Sequence, residues 1–340
     1  MAGAPLTSSG QAALPRRWSL AIGAVLLLAA IAGPFVLYPV FLMKALCFAL
    51  FACAFNLLIG YVGLLSFGHA AFMGSASYIT AYSVKAWGFD PVIGILAGTA
   101  VAALLGTVFG WLAIRRQGIY FAMVTLALAQ MIYFVALQAK FTGGEDGIQA
   151  VPRGYLFGTF DLTEPFAMYY FVLIVFLVGY FIIYRTIHSP FGQVLKAIRE
   201  NEPRAISLGY RTDRYKLLAF ILSATLAGLA GSTKSLVFQL ASLTDVQWQM
   251  SGEVVLMTLL GGLGTVFGPV VGAFIDVTME NYLAQYGSWV TVIQGGIFVT
   301  CVLTFRRGVV GEIIHLAQRF IPARTQSPPP AAVAQTAAGE

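Results

Sequence analysis

Long apolar runs dominate the chain, and one charged interruption stands out among them. Residues 189–216 read SPFGQVLKAIRENEPRAISLGYRTDRYK and hold Lys196, Arg199, Glu200, Glu202, Arg204, Arg211, Asp213, Arg214 and Lys216. Inside this segment the pattern turns helical: Val194, Leu195, Ile198, Ala205 and Leu208 fall near one face and the charges on the others. Pro203 lacks an amide hydrogen and crowds the preceding turn, so it should end one short helix or kink it into two. The expectation is a helix–kink–helix elbow on the cytoplasmic membrane face.

On either side, the apolar runs are long enough to cross a hydrocarbon core, which takes about 20 helical residues. They predict spans over residues 19–38, 40–59, 91–114, 118–138, 166–184 and 217–238. Gly33-Pro34 kinks the outer end of the first, and Lys44 snorkels near the outer end of the second. The first run, behind Arg16 and Arg17, lacks a small-x-small cleavage site and reads as an uncleaved span. Residues 60–87 are apolar enough to cross but rich in Gly and Ser. An outer loop occupies residues 140–165.

Residues 251–284 read as one long span or as a helix entering and a helix returning. The positive-inside rule decides. A single crossing would deliver Arg306, Arg307, Arg319 and Arg324 to the outside. If residues 253–260 enter, the chain turns at Gly261-Gly262-Leu263-Gly264 and residues 266–283 return outward, those arginines stay inside. Most of the 20 Lys and Arg are then cytoplasmic. The outer side holds the acids Asp90, Glu145, Asp146, Asp161, Glu164, Asp245, Glu253 and Glu280.

Composition agrees. Of 340 residues, 59% are hydrophobic and 10% charged, against roughly 25% charged in soluble domains; mean hydropathy is +0.81. The fold class is therefore all-α, a polytopic transmembrane helix bundle of about 8–10 spans with broken or re-entrant helices. A β-barrel would need alternating apolar and polar residues. The net charge of +6 reports topology rather than nucleic-acid binding. Cys47, Cys53 and Cys301 lie in apolar runs as packing residues and form no disulfide framework.

Candidate chemistry is sparse. Gly60, Gly63, Gly68 and Gly74, with Ser66, break one apolar segment. Gly261, Gly262, Gly264, Gly268 and Gly272 break another. Paired interruptions of this kind point to a transporter's pathway, and glycine-mediated helix packing is the alternative. The pathway residues expected are Gly63, Ser66, Gly68, His69, Gly262, Gly264 and Gly268. His69 is either a gating residue or a hydrogen-bonded packing histidine. Asp276 should face the bundle interior, as a proton or substrate contact or as a packing residue. Thr125 and Gln130 are possible intramembrane contacts, and Asn56 and Gln294 interhelical glue.

No metal site is expected, because the histidines are scattered. Residues 228–235, GLAGSTKS, miss the phosphate-loop pattern by one residue, with Thr233 where glycine is needed. They end an apolar span on the outer side, where Lys234 reads as an interfacial anchor. His69, His188 and His315 lie in separate segments, so no catalytic constellation forms and no enzyme or cofactor is expected.

Taken together, GYVGLLSFGHAAFMG, GIYFAMVTLALAQM, TGGEDGI, RENEPRAISLGYRTDRYKLLAF and LLGGLGTVFGPVVGA resemble the membrane permease of branched-chain amino-acid ABC importers, the LivM-type subunit. The likeness covers roughly residues 41–308, with five motifs in order. It implies a bacterial inner-membrane importer of leucine, isoleucine and valine. Its implied partners are a second, LivH-like permease, two cytoplasmic ATP-binding subunits that hydrolyse ATP, and a periplasmic substrate-binding protein. ABC permeases couple through a cytoplasmic E-A-A loop followed by glycine. Glu202, Ala205 and Gly209 look like its remnant, with Pro203 and Arg204 intruding.

Glu145 and Asp146 are then a candidate docking patch for the binding protein, or simply a solvated loop. The expected organisation is a disordered cytoplasmic tail, residues 1–18, and a permease domain, 19–308, carrying the coupling loop 189–216. A cytoplasmic tail, 309–340, is disordered at its end. A urea or short-chain amide importer is the alternative within the family; a stand-alone secondary carrier or channel is the alternative outside it.

Overall fold

The computed structural model describes residues 28, 30–156, 160–304 and 308–312. The tail 1–18, half of the first predicted span and Arg306, Arg307, Arg319 and Arg324 lie outside the described residues. The helices are α1 (Pro39–Tyr61), α2 (His69–Ala86), α3 (Pro91–Ala113), α4 (Ile119–Gln138), α5 (Pro165–Ile187), α6 (Pro190–Glu200), α7 (Glu202–Ser207), α8 (Thr212–Phe238), α9 (Trp248–Gly261), α10 (Gly268–Leu283) and α11 (Val290–Thr304). Among the described residues, α1, α3, α4, α5 and α8 are long and apolar enough to cross a membrane. With so little strand, the chain is an all-α, multi-pass bundle.

Start signals are written into the sequence. Pro39, Pro91 and Pro165 each open a helix, where the missing amide hydrogen costs nothing. Asp90 caps α3 by accepting from Val92 N at 2.9 Å.

α1 is the axis of the bundle. Residues 45–58 are buried without exception, so α1 has no polar face, the signature of a helix surrounded by protein. α8 is the second inner helix. α3, α4 and α5 form the rim, exposing Leu104, Met131, Phe134 and Phe181 toward lipid or another subunit.

Small residues set the helix spacing. Lipid offers no hydrophobic drive for helices to associate, so close van der Waals approach must supply it. A methyl group on Gly231 of α8 would stand 2.7 Å from the Met73 backbone carbon of α2. One on Gly106 of α3 would stand 2.5 Å from Ala224 Cβ of α8.

The helix that enters and the helix that returns are α9 and α10. α9 has 14 residues, roughly 21 Å at 1.5 Å per residue, short of the roughly 30 Å hydrocarbon thickness. The two pack backbone to backbone: a methyl group on Gly272 would lie 2.9 Å from Gly261 N.

The elbow is two helices, but Pro203 is not the break. The chain breaks at Asn201, which is extended and caps α7 by accepting from Arg204 N at 3.0 Å. Pro203 sits in the first turn of α7, where proline is tolerated. Leu195, Ile198 and Ala205 are buried, as the apolar face requires, but Leu208 is 68% exposed. It is the residue after the last helical turn, so helical spacing no longer governs its direction.

Outside, residues 139–164 fold into a cover. β1 (Ile148–Gln149) pairs antiparallel with β4 (Leu240–Ala241), and β2 (Tyr155–Leu156) with β3 (Phe160–Asp161). Lys85 Nζ donates to Gln149 O at 2.6 Å and Arg153 Nη2 to Val237 O at 2.8 Å, tying the cover to α2 and α8.

Gly231→Val forces α2 and α8 apart against fixed backbone and should cost about 1–3 kcal/mol or more. The folded fraction recovered from membranes in mild detergent should drop. Gly295→Val, where a methyl group meets nothing within 4 Å, should be recovered like the parent.

Candidate functional site

The first glycine interruption lies between α1 and α2. The amides of Val62, Gly63 and Leu64 all point at Leu58 O, so the last turn of α1 unwinds around one carbonyl. Gly63 has φ +83, a left-handed conformation that favours glycine. Residues 62–68 then run without helix, and side chains take over the freed amides. Gly68 N donates to Ser66 Oγ at 3.2 Å, Phe67 N to Thr125 Oγ1 at 3.2 Å, and Ala70 N to Ser251 Oγ at 3.0 Å. Ser66, Thr125 and Ser251 are fully buried.

His69, the first residue of α2, is fully buried. Its Nε2 lies 2.8 Å from Ser223 Oγ, which donates to Ala54 O at 2.5 Å. With that hydroxyl proton committed, Nε2 carries the proton and donates to Ser223. The rings of Phe55, Phe72 and Phe220 meet the imidazole edge-on, at centroid distances of 4.9, 5.6 and 6.1 Å. His69 is placed as a packed post joining α1, α2 and α8.

The second interruption is residues 262–267, the turn between α9 and α10. Gly262 and Gly264 have φ +115 and +74. Thr265 Oγ1 donates to Gly262 O at 2.8 Å and accepts from Gly268 N at 3.1 Å, closing the turn on itself.

The second interruption, far away in sequence, touches the last turns of α1, just ahead of the first. Asn56 of α1 donates from Nδ2 to Thr265 O at 2.9 Å and accepts at Oδ1 from Gly264 N at 3.0 Å. Both faces of its amide are used, and Asn56 is buried. A methyl group on Gly264 would stand 3.2 Å from Gly60 O, and one on Gly60 2.8 Å from Gly264 N. Only a side-chain-free surface on each partner allows this approach.

The elbow reaches the same place. Arg199, at the end of α6, donates from Nη1 to Gly60 O. Its Cγ would lie 3.1 Å from a methyl group on Gly63, and its Nη1 3.2 Å from one on Gly264. Lys196 sits 5.7 Å from the Tyr61 ring centre.

The remainder of the elbow divides by face. Glu202 turns inward, where Lys216 Nζ and Gln117 Nε2 (3.0 Å) donate to it. Ala205 is buried. Arg204, Ile206, Leu208 and Gly209 face outward. Gly209 N donates to Ile206 O and Tyr210 N to Ala205 O, the hydrogen-bond pattern that closes a helix on a left-handed residue, and Gly209 has φ +89. Beside it, a cleft of about 800 Å³ is lined by Phe191, Gly209, Tyr210, Arg211, Arg214 and Tyr215, among others.

Asp276 and the outer acids lie apart from this junction. Asp276 is buried and accepts from Gln294 Nε2 at 2.8 Å. Lys44 pairs with Glu280 at 2.7 Å. Lys234, read from sequence as an interfacial anchor, instead pairs with buried Asp245 and lies over the Phe48 ring at 5.4 Å. Gln130 is half-buried on α4, and Glu145 and Asp146 are exposed in the outer cover.

An apolar cavity of about 720 Å³ runs between α1, α5 and α10, from Leu42 and Tyr169 to Tyr180 and Phe267 at the second interruption. No group of three or more His, Cys, Asp or Glu among the described residues is arranged to hold a metal. Sequence reasoning missed Arg199 as a site residue; Asn56, expected as interhelical glue, joins α1 to the second interruption. The signal available was an arginine ending an amphipathic helix and an amide in an otherwise apolar span.

The family model described as "Branched-chain amino acid transport system / permease component" matches residues 37–302. The high-affinity branched-chain amino acid transport system permease protein LivM of Escherichia coli (strain K12) is 26% identical over 283 residues, covering 75% of this chain. The chain spans 65% of that relative's length. LivH of the same organism is 22% identical, covering 78% of this chain and 91% of its own. The ribose import permease protein RbsC of Bacillus subtilis (strain 168) is 27% identical, covering 65% and 70%. No solved structure matches the chain. The matched residues include both glycine interruptions and the elbow that meets them, and the chain belongs to the branched-chain amino acid transport permease family.

Proposed function

We propose that the chain is a permease subunit of an ABC importer in a bacterial inner membrane, moving leucine, isoleucine and valine by alternating access. The observation that carries this reading is the junction of the two glycine interruptions with the cytoplasmic elbow. A passive gate needs a break in its helices and a lever reaching it from the side where energy is supplied. The junction of Gly60, Gly264 and Arg199 supports both parts.

The energy comes from ATP hydrolysis by two partner subunits docked at the elbow, so the permease itself is not an enzyme. The outward residues Arg204, Ile206, Leu208 and Gly209 offer the contact, while Glu202 and Ala205 hold α7 against the bundle. A second, LivH-like permease completes the pathway, and a periplasmic binding protein delivers cargo, docking at Glu145 and Asp146. Asp276 and His69 act here as interior hydrogen-bonding and packing residues. The mostly aliphatic and aromatic cavity ending at Phe267 favours apolar cargo over urea, which would ask for several hydrogen-bonding groups.

Uptake of labelled leucine and of urea by proteoliposomes holding the whole transporter tests the assignment. ATP- and binding-protein-dependent leucine uptake is expected; urea uptake without leucine uptake would replace the substrate, and uptake without ATP would replace the class. Gly209→Pro imposes φ near about −65° where +89° is needed. It should leave assembly intact and lower uptake by about 5–150-fold, the range of a lost coupling. Normal uptake would remove the elbow from the mechanism. Cysteines at Arg211 and Glu145 should label from the cytoplasmic and the external side respectively, and the reverse pattern would invert the topology.

A further inference from the structure

We infer that Arg199 is the positioning residue that carries movement of the elbow to the turn between α9 and α10, an inference that rests on the importer reading above. Its guanidinium is placed where three chain segments meet. Nη1 holds Gly60 O at the end of α1. The same nitrogen lies against Gly264, and the aliphatic stem crosses Gly63. All three positions are glycines, so the arginine rests on bare backbone and any displacement of it bears on backbone.

The partner chemistry fits a contact that must let go. Among the described residues Arg199 enters no salt bridge; the ion pairs there are Lys44–Glu280, Lys216–Glu202 and Lys234–Asp245. Among the described residues its hydrogen-bond partner is one carbonyl, and the residue is otherwise exposed on the face of α6. A carboxylate in that position would hold the charge permanently, as Glu202 holds Lys216. A lone carbonyl at the end of an unwinding helix fixes the guanidinium in one arrangement and releases it in another.

What lies beyond the turn makes the contact useful. Asn56 binds the turn to α1 through two hydrogen bonds, so Gly60 and Gly264 move together. The next residues, Phe267 and Val270, line the inner end of the apolar cavity, and the Phe267 ring lies 5.8 Å from that of Tyr180. A shift of α6 passed through Arg199 therefore reshapes that end without α6 touching it.

The test uses the complete transporter in proteoliposomes, measuring leucine uptake and ATP hydrolysis with and without the binding protein. For Arg199→Ala, assembly at parental levels is expected. Leucine moved per ATP should fall about tenfold, within the range of site–site couplings, while hydrolysis continues and loses its dependence on the binding protein. Arg199→Lys, which keeps the stem and one donor, should recover part of the ratio. Asn56→Ala, which frees the turn from the other side, should reproduce the loss. A parental ratio in Arg199→Ala, or uptake and hydrolysis lost in equal proportion, overturns the inference. Failure of both Arg199 variants to assemble assigns the residue to the static fold and overturns it equally. Absence of ATP-driven uptake by the parent instead removes the importer reading, and the inference with it.

Discussion

Backbone polar groups released from a helix inside a bilayer have no water to turn to, and each one left alone costs several kcal/mol. The chain breaks its helices twice within the packed bundle, so this constraint shapes what surrounds the breaks. The solutions are short side chains carried by the breaks and by neighbouring helices. Ser66, Thr125 and Ser251 receive the amides of Gly68, Phe67 and Ala70, and Asn56 and Thr265 serve the second turn. These residues come from α1, α4, α9 and the breaks themselves. Neither break is satisfied wholly within its own segment, so the bundle must be assembled before either becomes tolerable. Folding and function are tied at that point.

The same constraint explains the glycines. A side chain satisfies an amide only if it comes close, and two backbones satisfy each other's surroundings only if nothing stands between them. Gly60 and Gly264 meet because neither has a Cβ. Gly231 against Met73 and Gly272 against Gly261 repeat the principle between regular helices. The first use is a junction between α1 and the second interruption, and the second is packing between helices. Of the two alternatives raised for the glycine interruptions, close helix packing is the one these contacts display.

Much of this was legible beforehand, for physical reasons. Hydropathy locates α1, α3, α4, α5 and α8 because crossing lipid demands long uninterrupted runs. The division of residues 251–284 into two helices followed from charge bookkeeping, because moving arginines outside is unfavourable whatever the helices do. The elbow declared itself by its charges. Less legible was anything decided by distant partners. Asn56 finding Thr265, Ser223 finding His69, and Lys234 finding Asp245 across a turn are tertiary facts. The break at Asn201 in place of Pro203 was misjudged, because a proline that ends one helix serves equally well in the first turn of the next. The paired strands of the outer cover are two residues each, too short to show alternation.

The two ends of the bundle are held differently. The end beside the cover is held by charged and amide pairs, Lys44–Glu280, Lys234–Asp245 and Gln294–Asp276, with Lys85 and Arg153 fastening the cover to backbone carbonyls. Separating a partly buried pair strands a charge, which makes rearrangement there costly. At the elbow end the Lys216–Glu202 pair holds α7 to α8, while the junction beside it relies on glycine surfaces, one asparagine and a single arginine–carbonyl contact, which exchange partners without stranding two opposite charges. The contacts that separate at least electrostatic cost therefore lie at the junction of α1, α6 and the turn between α9 and α10, next to the first break.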